Sequence, residues 1–249
     1  VSIKKRPGTV GICAALMNKY KVDAIPHIIC GGFTKEDTES ALIDLKFLGI
    51  DNVLALRGDP LKNESSFVAT KGGSKYAIDL IKQIDDMNNG QYLYEETKNS
   101  PANFCIGTAG YPEKHFEAMN LNSDLKHLKA KVDAGAEYIV TQLFYDNQKY
   151  FEFVKKCRSI GITVPIIPGL KPLTNLRHLS FIPKFFNTNF PEELSNELEK
   201  SKSNADVLKI GTEWAIQQSK ELMDAGVPIL HFYTMGKGEA VKNIAREIF

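Results

Sequence analysis

The stretch "DAGAEYIVTQ" (133–142) contains the pattern that decides the fold. A helical segment stops at Gly135, and an uninterrupted apolar run begins at Tyr138. Glycine readily adopts the left-handed conformation that ends a helix. An apolar run without polar alternation is typical of a parallel strand buried on both faces. The same order recurs in "FLGIDNVLAL" (47–56), "SIGITVPIIP" (159–168) and "DAGVPILHFY" (224–233).

These repeats predict a parallel sheet, because each strand must return to the same edge through a helix. The predicted strands are Ala24–Cys30, Val53–Arg57, Phe104–Thr108, Tyr138–Phe144, Val164–Ile167 and Ile229–Thr234. Each precedes a helix, and a further helix over roughly 9–20 comes before the first. An open doubly wound sheet and a barrel both agree with this order.

The strand ends favour the barrel. No GxGxxG motif follows a strand, which disfavours a dinucleotide-binding sheet. Polar residues close nearly every strand, and barrels concentrate their chemistry at that end. We therefore predict an α/β fold, a (β/α)8 TIM barrel whose first two strand units are missing before Val1. Residues 1–249 would form one N-terminally incomplete catalytic domain.

Local signals place several helix starts. Thr34, Ser123 and Asn147 are predicted N-caps, since their side chains can accept a hydrogen bond from a free helical N–H. The stretches 89–103 and 183–206 interrupt the strand–helix rhythm and are predicted to be surface additions without chemistry.

Composition excludes several classes of function. Lys and Arg total 31 against 30 Asp and Glu, so no basic excess indicates a nucleic-acid or membrane-surface partner. The longest apolar runs are strand-sized and no signal peptide is visible. The four cysteines form no CxxC pair, which is typical of free thiols in a reducing compartment and not of a metal site or disulfides. We expect a cytoplasmic protein.

The strand end "VLALRGDP" (53–60) places Arg57 and Asp59 beside each other. They could form a structural ion pair that caps the strand. Alternatively, Asp59 could accept hydrogen bonds from a heterocyclic ligand at the barrel mouth. Pro60 favours the second interpretation, because it forces an abrupt exit from the sheet.

Residues at other strand ends also allow both a structural and a ligand-binding interpretation. His27, predicted to end the first strand, could be a core histidine or a site residue. Gln142 offers amide donors and an acceptor that suit the edge of a planar polar ring. Phe144 and Tyr145 behind it are core residues by default, although they could stack on a ring. Lys237 lies between two glycines, without the spacing of a Walker motif.

Five segments together resemble the methylenetetrahydrofolate reductases. They are "PHIICGGFTKEDTESALIDLKFLGIDNVLALRGDP" (26–60), "AGYPEKHFEA" (109–118), "DLKHLKAKVDAGAEYIVTQLFYDNQKYFEF" (124–153), "VPIIPGLKPLTN" (164–175) and "HFYTMGK" (231–237). They stand in the family's order. The resemblance implies a (β/α)8 barrel that holds FAD at the strand C-termini. It also implies ping-pong reduction of 5,10-methylenetetrahydrofolate to 5-methyltetrahydrofolate by NADH or NADPH.

The resemblance also implies roles for individual residues. The flavin contacts would be His27, Arg57, Gly58, Asp59, Ala77, Tyr111, His115, Ala118, Asp124, His127 and Lys131. Asp59 and Gln142 would act in catalysis and contact folate, with His178 and Lys237 as further substrate contacts. The partners would be small-molecule folate and nicotinamide substrates, together with a second copy of the chain in a homo-oligomer.

Some positions depart from the family's usual residues. His127 and Ala130 stand where the family commonly has asparagine and arginine, His178 where it has glutamine, and Lys237 where it has arginine. The family's general acid, a glutamate on the first barrel strand, would lie before Val1. The alternatives are a folate- or flavin-binding barrel without turnover, or a corrinoid-linked folate methyltransferase.

Overall fold

The computed structural model describes residues 7–60, 64, 66–94, 99–236 and 238–249. In chain order the elements are α1 (Thr9–Tyr20), β1 (His27–Ile29), α2 (Lys35–Phe47), β2 (Asn52–Leu56), α3 (Ala77–Asn88), β3 (Cys105–Gly110), α4 (Leu121–Asp133), β4 (Tyr138–Leu143), α5 (Asn147–Ser159), β5 (Ile166–Leu170), α6 (Arg177–Phe186), α7 (Glu192–Leu198), α8 (Asn204–Asp224), β6 (His231–Phe232) and α9 (Glu239–Ile248). In the described chain a helix follows each of the six strands, as the repeats predict, but three helices, α6 to α8, lie between β5 and β6.

The strand order confirms the predicted fold class. Within the described residues the sheet has six strands, and β1 to β6 are neighbours in chain order. The β1–β2, β2–β3 and β5–β6 pairs are parallel. A doubly wound sheet reverses its strand order at a switch point, whereas this order contains no reversal. The fold is therefore α/β with the strand order of a (β/α) barrel.

The chain divides into two compact units. Unit 1 comprises Val1–Ala109 and Ala130–Ile139, and unit 2 comprises Gly110–Lys129 and Val140–Phe249. Strand β4 therefore begins in unit 1 and ends in unit 2. The prediction of a single catalytic domain stays a prediction.

The core of unit 1 lies between one face of β1–β3 and its helices. Ile28, Val53 and Ile106 on the strands pack with Leu42 of α2 and Leu80 of α3, and all five are at most 7% exposed. Helix α2 begins where predicted, because the Thr34 hydroxyl accepts a hydrogen bond from the Asp37 N–H and the Asp37 carboxylate accepts one from the Thr34 N–H. This core fixes β2, whose end carries Arg57 and Asp59.

The core of unit 2 includes part of the segment predicted to be a surface addition. Leu194 and Leu198 of α7 are 0% and 3% exposed and pack with Leu143 and Leu173. The prediction for 183–206 was therefore wrong for α7, whose two leucines form an apolar stripe hidden among charged residues. The described part of 89–103 contains neither a strand nor a helix.

Some predicted boundaries differ from the observed ones. β1 starts at His27 because Pro26 has no N–H to donate to a neighbouring strand. β3 continues to Gly110, so Thr108 lies inside the strand and does not end it. Asn120, not Ser123, caps α4, since its side-chain oxygen accepts a hydrogen bond from the Ser123 N–H. Asp146, not Asn147, caps α5 by accepting one from Gln148.

Each unit contains a tyrosine that lies over a glycine of the preceding strand. In unit 1 the Tyr138 ring covers Gly107, and its hydroxyl donates to the Val53 carbonyl at 2.9 Å. In unit 2 the Tyr233 ring covers Gly169, and its hydroxyl donates to the Thr141 carbonyl at 2.7 Å. A tyrosine at the start of β4, or directly after β6, thus occupies the space that a Cβ on the previous strand would fill.

Among the described residues, no helix is long and apolar enough to cross a bilayer.

Candidate active site

The end of β2 leaves the Asp59 carboxylate open. Asp59 is exposed and makes no hydrogen bond or ion pair within the described part of the chain. The Arg57 guanidinium carbon instead lies 5.2 Å from the centre of the Phe67 ring. The structural ion pair considered for Arg57 and Asp59 is therefore not formed. Gly58 between them has a φ of 87°, which only glycine adopts without strain.

His27 does not lie where the sequence analysis placed it. It is the first residue of β1, exposed, and opposite Leu54, two residues before β2 ends. Nearby protein atoms exclude water from part of the imidazole, and this burial lowers the pKa of His27. The prediction that His27 ends its strand was wrong, because Pro26 delays the start of β1.

Two further predicted flavin contacts belong to unit 1. Ala77 is the first residue of α3, where free N–H groups are available to an anion. Asp79 already accepts hydrogen bonds there from the Tyr76 and Lys75 N–H groups, at 2.9 and 3.2 Å. The Lys131 ammonium donates to the Ala109 carbonyl at 2.6 Å, at the end of β3. Lys131 is thus positioned at a strand end and is not only a solvated surface charge.

In unit 2 the loop 111–118 is held by two charged residues. The Asp124 carboxylate accepts a hydrogen bond from the His115 N–H at 2.9 Å. The Lys114 ammonium donates to the carbonyls of His115 and Ala118, at 3.1 and 2.8 Å. Tyr111 packs edge-to-face on His115, with 4.7 Å between ring centres. Three predicted contact residues, Tyr111, His115 and Ala118, therefore lie in one loop that a fourth, Asp124 of α4, holds in place. Lys114 was missed by the sequence analysis.

Glu113 holds the same loop from its other side and was also missed. Its carboxylate accepts hydrogen bonds from the backbone N–H and the side-chain Nδ2 of Asn189, at 3.2 and 3.0 Å. Burial raises the pKa of Glu113, while these two hydrogen bonds oppose the rise. Only its place between Pro112 and Lys114 in the loop could have indicated this role.

Gln142 lies near the end of β4 and is half-buried. Its Oε1 accepts a hydrogen bond from the Leu143 N–H at 2.9 Å, which leaves the amide NH₂ without a partner among the described residues. Phe144 and Tyr145 are buried, and Phe144 stacks on Tyr150. They are core residues, whereas Gln142 keeps two donors available.

The remaining predicted contacts differ in their surroundings. The His178 Nδ1 accepts a hydrogen bond from the Thr174 N–H at 3.2 Å, and its Nε2 lies 3.0 Å from the Asn175 amide nitrogen. His127 is exposed on α4. The prediction for Lys237 lies outside the described residues.

Lys171 is a further residue that the sequence analysis missed. It follows β5 directly and is 8% exposed. A charged residue after an uninterrupted apolar strand was the available signal, the same one that drew attention to Arg57.

A family model described as methylenetetrahydrofolate reductase matches residues 2–248. The chain belongs to the methylenetetrahydrofolate reductase family. The resemblance seen in the sequence is thereby confirmed across nearly all of its length.

Individual relatives agree with this assignment. The probable methylenetetrahydrofolate reductase (NADH) of Oryza sativa subsp. japonica is 36% identical over 246 residues, which cover 95% of this chain and 39% of that protein. The 5,10-methylenetetrahydrofolate reductase of Salmonella typhimurium is 31% identical over 239 residues, covering 94% of this chain and 73% of that protein. The chain thus spans well under half of the plant relative and about three quarters of the bacterial one.

A solved structure supports the fold alone. An uncharacterized protein from Clostridium thermocellum, which binds two copies of 5-methyl-5,6,7,8-tetrahydrofolic acid, superposes with a TM-score of 0.52 at 15% identity. The match covers 94% of this chain and 76% of that one.

Proposed function

We propose that the protein reduces 5,10-methylenetetrahydrofolate to 5-methyltetrahydrofolate, with NADH or NADPH as donor and FAD as the resident cofactor. Family membership over residues 2–248 is the observation that carries this proposal. Relatives named as NADH and as NADPH enzymes are both similar to the chain, at 36% and 34% identity. The preferred donor is therefore left open.

The residues of unit 1 fit a flavin. Gly58 has a φ of 87°, so glycine forms the turn after β2 without strain and without a side chain, whereas an added Cβ would make only ordinary contact with Ile29. The Arg57 guanidinium and the Lys131 ammonium are cationic groups suited to the diphosphate of FAD. Ala77, at the start of α3, adds a small side chain beside free N–H groups. When bound, FAD would take up two electrons from the nicotinamide and pass them to the folate.

The loop 111–118 of unit 2 carries the other flavin contacts that the family resemblance implies. Asp124 and Lys114 fix its backbone before any ligand binds. Tyr111 and His115 are therefore presented with little conformational entropy left to lose on binding. We assign Asp124 a positioning role, because its carboxylate is already bonded to the loop backbone.

Asp59 and Gln142 are the proposed folate contacts. The free Asp59 carboxylate can accept hydrogen bonds from the amino group and ring N–H of a pterin. The Gln142 NH₂ group, which has no partner in the described chain, can donate to a ring carbonyl. The carboxylate suits the donors and the neutral amide suits an acceptor of the pterin edge.

The test follows the flavin spectrum of the purified full-length protein without oxygen. We expect a yellow protein that bleaches with NADH or NADPH and recolours with methylenetetrahydrofolate. Gln142→Ala should slow recolouring more than it weakens FAD binding. A protein that binds flavin or folate without bleaching would support a binding barrel and contradict the reductase. Folate methyl transfer dependent on cobalamin would contradict it too. A cytoplasmic location and a homo-oligomeric state stay predictions.

A further inference from the structure

Lys171 is a buried cation that the proposed flavin and folate contacts do not use. Its side chain is 8% exposed, although lysine is almost never buried without a partner. Among the described residues, its ammonium donates one hydrogen bond, to the carbonyl of the next residue, Pro172, at 3.3 Å. No carboxylate pairs with it within the described parts of the chain. Two of its three donors therefore have no acceptor.

Packing alone does not require a lysine at this position. Leu170, directly before Lys171, and Leu173, two residues after it, are both 0% exposed. An apolar side chain of similar length would fill the same space without the cost of desolvating a charge. Burial also lowers the pKa of Lys171, as expected for an ammonium that lacks a compensating anion.

The position of Lys171 is one where barrels bind substrates. It follows the last residue of β5, at the C-terminal end of the strand. The Tyr145 hydroxyl donates to the Lys171 carbonyl at 2.9 Å, and the Tyr233 N–H donates to the Leu170 carbonyl at 2.8 Å. Backbone contacts thus fix this turn independently of the lysine side chain.

We propose that Lys171 is an anion-binding residue, whose ammonium binds a carboxylate or phosphate group of a substrate at the end of β5. This inference rests on the proposed function, which supplies two sources of such a group. One is the glutamate carboxylate of the folate, and the other is the diphosphate of the nicotinamide nucleotide. In a ping-pong reaction both substrates visit the site in turn.

Lys171→Met tests the inference against Lys155→Met, which removes the same charge from an exposed position on α5 of the same unit. We expect Lys171→Met to raise the KM of the substrate that supplies the anion about tenfold, with kcat changed less than twofold. Lys171→Arg should retain most of the affinity. Lys171→Met should also raise Tm by a few degrees, because it removes an uncompensated buried charge. Lys155→Met should change none of these quantities.

The pattern of KM values identifies the anion. A rise for the folate alone indicates the glutamate carboxylate, a rise for the nicotinamide alone indicates the phosphates, and a rise for both indicates a shared site. Unchanged KM values would overturn the inference. So would a fall in Tm with kcat and both KM values impaired together, since that result describes a structural lysine.

A second measurement does not depend on turnover. Inorganic phosphate should raise the Tm of the wild-type protein more than that of Lys171→Met. Equal shifts would overturn the inference even if the reductase activity is found. A wild-type protein without reductase activity but with this difference would instead contradict only the proposed function.

Discussion

At the scale of single residues, strand ends were the most informative part of the sequence. Asp59 and Gln142 both keep hydrogen-bonding capacity after the fold has formed, as their positions predicted. Lys171 carries the same signal but follows a strand that the sequence analysis ended at Ile167. The prediction for His27 was wrong for a related reason. Residue propensity indicates that a strand is present, but pairing with the neighbouring strand determines where it begins.

Asp59→Asn preserves the shape of the side chain while removing its negative charge. We expect the flavin midpoint potential to rise by about 20–40 mV, or about 1–2 kcal/mol, because the anionic reduced ring loses a repelling neighbour. Folate reduction should become slower. Spectroelectrochemical titration and steady-state rates measure the two effects. Asp51→Asn, an exposed acid at the other end of β2, is the control. An unchanged potential with unchanged turnover would assign Asp59 no role in the site.

Gly107→Ala should destabilise the protein by about 1–3 kcal/mol, because its Cβ would overlap the Tyr138 ring. Urea denaturation measures the change. Gly11→Ala is the matched control, since α1 leaves open space around that position. Alanine there should add up to about 1 kcal/mol of stability through helix propensity. Equal effects of the two substitutions would show that the Tyr138 ring does not constrain β3.

At the scale of elements, helix ends were predicted to within a residue or two. The four glycines that mark the repeats all have positive φ, at Gly49, Gly135, Gly161 and Gly226. The caps were less certain from sequence, because Asn, Asp and Ser have similar capping preferences. Where two of these residues stand close together, as Asp146 and Asn147 do, only the geometry of the preceding turn selects one.

The capping boxes of α2 (Thr34 with Asp37) and α8 (Ser203 with Asp206) should make the stability of the fold sensitive to acid. Hydrogen bonds from the Thr34 backbone and hydroxyl hold the pKa of Asp37 below its usual range, and those from Lys202 and Ser203 do the same for Asp206. A lowered folded-state pKa gives stability above the unfolded pKa that is lost as the pH falls through the folded one. We expect the urea midpoint to fall less between about pH 5 and pH 3 in Asp37→Asn/Asp206→Asn than in wild type. Asp44→Asn, in the last turn of α2 and away from its capping box, should retain the wild-type slope.

Asp124 of α4 holds the loop 111–118, which carries proposed flavin contacts. Asp124→Asn weakens the hydrogen bond from the His115 N–H, so the loop should lose part of its order. We expect the Kd for FAD to rise about tenfold, in line with the loss of a charged hydrogen bond. Flavin fluorescence titration measures it, with exposed Asn122→Ala on the same helix as control. Identical FAD affinity in both variants would remove Asp124 from the positioning role.

At the scale of the whole molecule, the repeat was enough to predict the class of fold. Parallel strands joined through helices must cross over with one hand, so four similar segments restrict the sheet to two arrangements. The sequential strand order then selects the barrel. Sequence could not show that Leu194 and Leu198 of α7 enter the core, because two leucines in a charged segment have no clear period.

Ping-pong reduction through a bound flavin makes the most direct prediction about the full-length protein. Initial rates measured while both methylenetetrahydrofolate and the nicotinamide donor are varied should give parallel double-reciprocal lines, since the donor leaves before the folate binds. Intersecting lines would show that both substrates are bound at once, and would contradict the proposed reaction.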